Sequence, residues 1–218
     1  MKKVITIDGP SGAGKSTLSK LLAKELGFKC LDTGALYRAV GLYLHSRDIS
    51  EKASDKEIED ALKWLRIRIT DDVVLVNDKP LSSELRTPLA GHLASVFSAR
   101  KPVREFLLGP QRAFAEEFDT VAEGRDMGTV VFPDAWLKFY LDASPQERAR
   151  RRYHQLRDMG KAISMEEAIK DICERDKRDS ERDLAPLKIP EDAIYIDTTE
   201  LSKEETLKEL LRWVSSKQ

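Results

Sequence analysis

A doubly wound α/β fold, with helices on both faces of a mostly parallel sheet, is the architecture this sequence predicts, and three observations predict it. The first is the run Gly9-Pro10-Ser11-Gly12-Ala13-Gly14-Lys15-Ser16-Thr17, which matches GxxxxGK(S/T) and directly follows apolar residues 4–7, the strand-to-helix setting of a phosphate-binding loop. The second is a series of short apolar runs, FKCLD around Cys30, TVAEG around Val121, LKFYLD around Phe139 and AIYID around Ile194, that alternate with helical patterning. The third is length: 218 residues suffice for one α/β domain with insertions and a full core.

The elements follow in order. The N-terminal MKKVITIDG carries two lysines and then an apolar run too short for a signal segment or a membrane span, so it reads as the first strand. After the loop, Leu18, Leu21, Leu22 and Leu26 recur at helical spacing and predict a helix laid on the sheet that ends near Gly27. Residues 66–77, RIRITDDVVLVN, are β-rich around an Asp71-Asp72 turn, and Asp78-Lys79-Pro80 signals another turn, so a small antiparallel insertion is expected there. Arg148, Arg151 and Arg152 begin the helix after LKFYLD and precede residues 157–164, whose Asp158-Met159-Gly160 suits a lid. An amphipathic helix over about residues 201–214 closes the fold, and neither a long linker nor an internal repeat is visible.

Bulk properties narrow the function. Lys and Arg total 37 against 38 Asp and Glu, so there is no global basic field for nucleic acid, and any anion site must be built locally for a small partner. Cys30 and Cys173 lack CxxC spacing and nearby histidine clusters, which argues against zinc, redox chemistry and a secreted disulfide scaffold, and favours the cytoplasm. Nothing signals oligomerisation, so a monomer is the default.

The loop implies a grip on a nucleotide triphosphate. Its glycines let successive backbone N–H groups converge on an anion, and the following helix adds the positive end of its dipole. Lys15 then reaches the outer phosphates and Ser16 offers a hydroxyl to Mg²⁺. Switches, motors and kinases share such a loop, and the arginines choose among them. Arg175, Arg178 and Arg182, with Asp179 between them, fall on one helical face and can bridge two phosphates, or can equally be a solvated face laced with ion pairs. Arg38, Arg104 and Arg125 come from three further segments. Transfer between two phosphates needs guanidinium groups from several elements, and the acceptor oxygen is already anionic, so no general base is required. His45, His92 and His154 lie in unrelated contexts and read as structural.

Six ordered motifs, IDGPSGAGKST, LDTGALYRAV, ELRTPLAGHLASVFSARKPVRE, AEGRDMGTVVFPDA, LDASPQERARRR and ERDKRDSERDLAPL, span nearly the whole chain. Through them the sequence resembles the bacterial-type cytidylate kinases. GRDMGTVVFPDA discriminates best, because adenylate, guanylate and shikimate kinases share the phosphate-binding loop without it.

The resemblance implies a P-loop NTPase fold that transfers the γ-phosphoryl group of ATP to CMP, and to dCMP, with Mg²⁺. It implies a core of about residues 1–32, 100–147 and 166–218, a monophosphate-binding insertion of about 33–99 and a helical lid of about 148–165. ATP is expected on Gly9, Pro10, Ser11, Gly12, Ala13, Gly14, Lys15, Ser16 and Thr17, with Arg151 and Arg152. CMP is expected among Thr33, Arg38, Ser95, Arg104, Arg125, Asp126, Arg175, Asp179 and Arg182, with Lys15, Arg125, Arg175 and Arg182 as the catalytic set. Asp126 can accept from the exocyclic amine of cytosine, with Ser95 and Arg104 on the remaining polar edge. Uracil presents a carbonyl there, and two facing acceptors cost roughly 1–3 kcal/mol, which predicts at least tenfold preference for CMP. Asp179 is placed to accept from a sugar hydroxyl, Arg38, Arg125 and Arg182 to hold the acceptor phosphate, and Arg175 to stand between donor and acceptor. Where many relatives carry serine this chain has Thr33, a change that bears on deoxyribose tolerance. Relatives often have glycine after the loop lysine, so Ser16 and Thr17 share two roles, one hydroxyl toward the metal and one toward the α-phosphate, in either order, with Glu123 a further metal candidate through water.

Overall fold

The computed structural model describes residues 2–70, 73–160 and 162–217. The Asp71-Asp72 turn expected from sequence lies outside the described residues. The chain runs β1 (Val4–Asp8), α1 (Lys15–Leu26), β2 (Lys29–Asp32), α2 (Thr33–His45), α3 (Asp55–Leu62), β3 (Ile67–Thr70), β4 (Val73–Val76), β5 (Lys79–Leu81), α4 (Pro88–Phe97), α5 (Lys101–Glu117), β6 (Thr120–Glu123), β7 (Leu137–Asp142), α6 (Pro145–Asp158), α7 (Met165–Glu181), β8 (Ile194–Asp197) and α8 (Lys203–Ser216). A single turn of 3₁₀ helix at Glu84–Arg86 precedes α4, and a π-helical turn at Met127–Val131 follows β6.

The main sheet has the order β2-β6-β1-β7-β8, and each adjacent pair is parallel. Its strands alternate faces as a two-residue period requires. Cys30 and Val121 enter a core with Ile5, Leu22, Phe139 and Leu210, under α1 and α8. Their chain neighbours Leu31 and Ala122 enter a second core with Leu36, Val40, Phe97 and Leu107, under α2, α4 and α5. Two cores on two faces are what make the sheet doubly wound, and they aim the C-terminal ends of β1, β2 and β6 at one crevice.

Local signals set the helix limits. Gly27, at φ 68°, ends α1 where the leucine spacing stops. Capping boxes at Ser54/Glu57, Ser164/Glu167 and Ser202/Glu205 start α3, α7 and α8. The last of these begins α8 at Lys203, just inside the expected residue 201. Among the described residues no helix is long and apolar enough to cross a membrane.

Strands β3, β4 and β5 form the expected antiparallel insertion, with one correction. Lys79-Pro80-Leu81 is an edge strand paired with β4, and the turn lies one residue earlier, at Asn77 and Asp78 with φ 48° and 65°. Asn and Asp tolerate that left-handed pair, and an edge strand places no demand on the N–H that proline lacks.

The phosphate-binding loop is wedged against β7 and α6. A Cβ on Gly9, at φ 145°, would lie 1.9 Å from the Leu141 carbonyl oxygen, and one on Gly12, at φ 81°, 2.9 Å from the Arg148 carbonyl oxygen. Glycine is therefore required there by backbone packing, independently of any ligand.

Candidate active site

A cleft of about 890 Å³ opens at the C-terminal ends of the central strands. Its lining brings together loop residues Ser11 to Thr17, Tyr37, Ser95, Ser98 and Asp126, and the side chains of Arg38, Arg125 and Arg175. Gly9, Pro10 and Arg104 stand behind this lining, while the other residues expected at either nucleotide reach it.

Lys15 is buried, and its Nζ donates to the Pro10 carbonyl at 2.6 Å across the loop. Burial pushes its ammonium well below the usual lysine range, and the Arg125 guanidinium pushes the same way. Opposite it, Glu123 at the end of β6 is pushed well up by burial and by the Asp32 carboxylate, its register neighbour on β2. Thr33 donates its hydroxyl to the Glu123 carbonyl at 2.7 Å, so the hydroxyl it shares with serine is spent on the backbone.

Asp8 closes the floor. Its carboxylate accepts from the backbone N–H of Met127 at 2.9 Å and of Gly128 at 2.7 Å, pinning the π-helical turn to the loop strand. Burial pushes Asp8 up from 3.8 to about 6. The folded chain thus holds this proton more tightly than the unfolded chain. Stability is fully present below 3.8 and falls by about 3 kcal/mol as pH rises through about 6. Asp8→Asn keeps one acceptor and cannot ionise. Its stability relative to wild type, from denaturant midpoints, should improve by about 3 kcal/mol between about pH 4 and pH 7; a difference that stays flat with pH contradicts the assignment.

Asp126, in the turn after β6, sits between two guanidinium groups. Arg104 on α5 bonds one oxygen and the Ser98 carbonyl at 3.2 Å; Arg182 lies 3.4 Å from the other oxygen and donates to the Ala185 carbonyl at 2.7 Å. Arg125 donates to Asp179 at 2.8 Å and to the Gly124 carbonyl at 3.2 Å. Arg175 is held by Asp171 at 3.0 Å. Arg38 makes no hydrogen bond or ion pair among the described residues, although it lines the cleft. Arg151 is committed to Glu147 and Thr198, and Arg152 to Asp171 and Gln155, so both line the cleft already braced.

Three expectations need correction. The helical face of Arg175, Arg178 and Arg182 breaks at its end, because α7 stops at Glu181 and Arg182 takes an extended conformation at ψ 138°. Arg178 turns away from the phosphate-gripping role and donates from Nε to Ser95 on α4 at 2.8 Å. Arg148 is a buried brace: it bonds the Ala143 carbonyl at 2.9 Å, the Ser11 carbonyl at 3.1 Å and the Asp176 carboxylate. Asp176, by sequence one more acid lacing the arginine helix with ion pairs, has a task of its own. Its other oxygen accepts from the Ser11 N–H at 3.2 Å, hooking α7 onto the loop, and nothing in a run of alternating charges marks it for this task.

Serine and threonine hydroxyls fit a hard divalent cation. Ser16 and Thr17 are exposed on the first turn of α1, line the cleft, and their hydroxyls have no partner among the described residues, with the Glu123 carboxyl across from them. This set is all oxygen, the chemistry that Mg²⁺ prefers. Among the described residues there is no cluster of three or more His, Cys, Asp or Glu able to hold a metal by itself.

Similarity to the cytidylate kinase from Thermodesulfovibrio yellowstonii reaches 53% identity over 99% of each chain, and to that from Thermosipho melanesiensis 49%, covering 98% of this chain and 97% of that one. Among solved structures, a gluconokinase from Sinorhizobium meliloti superposes with a TM-score of 0.50 at 15% identity, covering 98% of this chain and 92% of that one, which speaks for the fold alone. The family model described as cytidylate kinase matches residues 5–216, and the chain belongs to that family.

Proposed function

We propose that the protein transfers the γ-phosphoryl group of ATP to CMP, and to dCMP, releasing ADP and CDP or dCDP in the cytoplasm. What supports this reading most is one observation: Arg38, Arg125 and Arg175, from three separate elements, line the same cleft as the phosphate-binding loop and buried Asp126. A guanidinium such as Arg38, with no partner among the described residues and a place on a cleft wall, suits a ligand anion.

The donor phosphates rest on the loop N–H groups and the first turn of α1, with Lys15 reaching the outer phosphates. Ser16 or Thr17, and Glu123 through water, would hold Mg²⁺, which when bound supplies charge neutralisation along the donor phosphates. Residues 33–99 take the monophosphate and residues 148–165 close over the donor. An acceptor phosphate oxygen, anionic near neutral pH, forms the new bond to the γ-phosphorus as the bond to the bridging oxygen of ADP breaks. Arg125 and Arg175 stabilise the charge that builds up there, so positioning and electrostatics carry the reaction without a general base. Asp126 keeps lone pairs for the cytosine amine after serving Arg104 and Arg182, since a carboxylate has about four acceptor sites.

Initial rates of ADP release with CMP, dCMP, UMP and AMP under saturating Mg-ATP test the reading. CMP should exceed UMP at least tenfold in kcat/KM, because uracil sets a carbonyl against Asp126. Comparable rates with AMP, or ATP hydrolysis undiminished when CMP is omitted, would overturn it.

A further inference from the structure

We infer that Arg178 is a positioning residue that fixes the hydroxyl of Ser95 as a hydrogen-bond donor toward the acceptor's base, and through it helps set cytosine against uracil. The inference rests on the acceptor reading above and concerns a residue that reading leaves without a task.

Arg178 on α7 donates from Nε to Ser95 Oγ on α4 at 2.8 Å, a contact between two elements 83 residues apart in the chain. Both side chains are partly buried, which keeps the bond from being merely a solvated surface pair. Ser95 lines the cleft. It lies one helical turn before Ser98, whose hydroxyl donates to the Ser95 carbonyl at 3.1 Å and whose own carbonyl receives Arg104, the partner of Asp126. Ser95 therefore belongs to the same short stretch of wall as the carboxylate proposed to meet the cytosine amine.

A serine hydroxyl has one hydrogen and two lone pairs. A guanidinium can only donate, so Arg178 occupies a lone pair, and its positive charge turns the O–H dipole away from itself. Among the described residues the Ser95 hydroxyl has no acceptor for its hydrogen. That hydrogen is left for the cleft. Next to the amine of cytosine the ring nitrogen N3 is an acceptor, whereas in uracil the same nitrogen carries a hydrogen. An O–H held outward matches the first and opposes the second, which complements the demand Asp126 makes at the neighbouring position. An unrestrained serine would rotate and serve either base, so the discrimination lies in the residue behind it.

The test is a double-mutant cycle on Ser95 and Arg178, with kcat and KM measured for CMP, UMP and ATP. Arg178→Met removes the donor and keeps an apolar stem. It should lower the CMP-to-UMP ratio of kcat/KM about tenfold, through KM for CMP more than through kcat, and leave KM for ATP unchanged. Ser95→Ala should do the same, and the double variant should add little to either. Arg178→Lys, which keeps a cationic donor, should recover part of the ratio, and thermal midpoints of all variants show whether any is unfolded. A ratio within twofold of wild type in a folded Arg178→Met protein overturns the inference, as does an effect of equal size in the Ser95→Ala background. If instead wild type itself shows no preference for CMP over UMP, the acceptor reading fails and takes this inference with it.

Discussion

Lys15→Ala should lower kcat by roughly 10²–10³-fold or more while CMP binding stays measurable. The ammonium sits in the loop with its Nζ on the Pro10 carbonyl and is almost wholly buried, so the loop itself fixes where this cation stands. Burial already disfavours its charge, and a donor's phosphates would restore it, which concentrates the interaction in the liganded states where catalysis needs it. The variant loses one hydrogen bond to a carbonyl and relieves the cost of a buried charge, so its fold should survive. Steady-state rates with CMP and Mg-ATP, beside CMP binding by calorimetry, separate the two effects. A kcat within a few-fold of wild type would show that the loop backbone alone carries the donor phosphates.

Asp126→Ala should have the second large effect, on two readouts at once. Its carboxylate, 3% exposed, stands between Arg104 and Arg182, themselves 10% and 5% exposed. Removing it leaves two buried guanidinium groups facing each other without a counter-ion, a change that costs about 3–5 kcal/mol. For a chain of this size that is a fall in thermal midpoint of roughly 6–20 °C. The variant also loses the proposed acceptor for the cytosine amine, so the CMP-to-UMP ratio should collapse. Asp126→Asn separates these consequences: it keeps the shape and some hydrogen bonding, loses less stability, and presents an amide donor that suits uracil's carbonyl. An Asp126→Asn protein that keeps the full CMP preference would place base recognition elsewhere.

Much of this was legible in the sequence, for a physical reason. Strands such as FKCLD and LKFYLD and the leucines of α1 announce themselves because their periods are local, and the nine-residue loop does so because its glycines answer to backbone geometry. Strand β5 was hidden by Pro80, whose local preference for turns is overruled only because β4 offers it an edge. The partners of the arginines were hidden more deeply. Arg104 and Asp126 are 22 residues apart and Arg182 and Asp126 are 56 apart, so the role of Asp126 as their counter-ion is a property of the folded chain. The same holds for Arg148 and Arg178, which look like the other arginines and differ only in what the fold sets beside them.

The hook between Asp176 and Ser11 has a metric consequence. On one rod, α7, the group that grips the phosphate-binding loop is three residues from Asp179, the partner of Arg125, and one residue from Arg175. The spacing between the proposed donor and acceptor ends is therefore metered by helical pitch, about 1.5 Å per residue, and not by the average of a wandering segment. Because a displacement of about 1 Å can cost two orders of magnitude in rate, a caliper of this stiffness would keep the two proposed reacting groups in register.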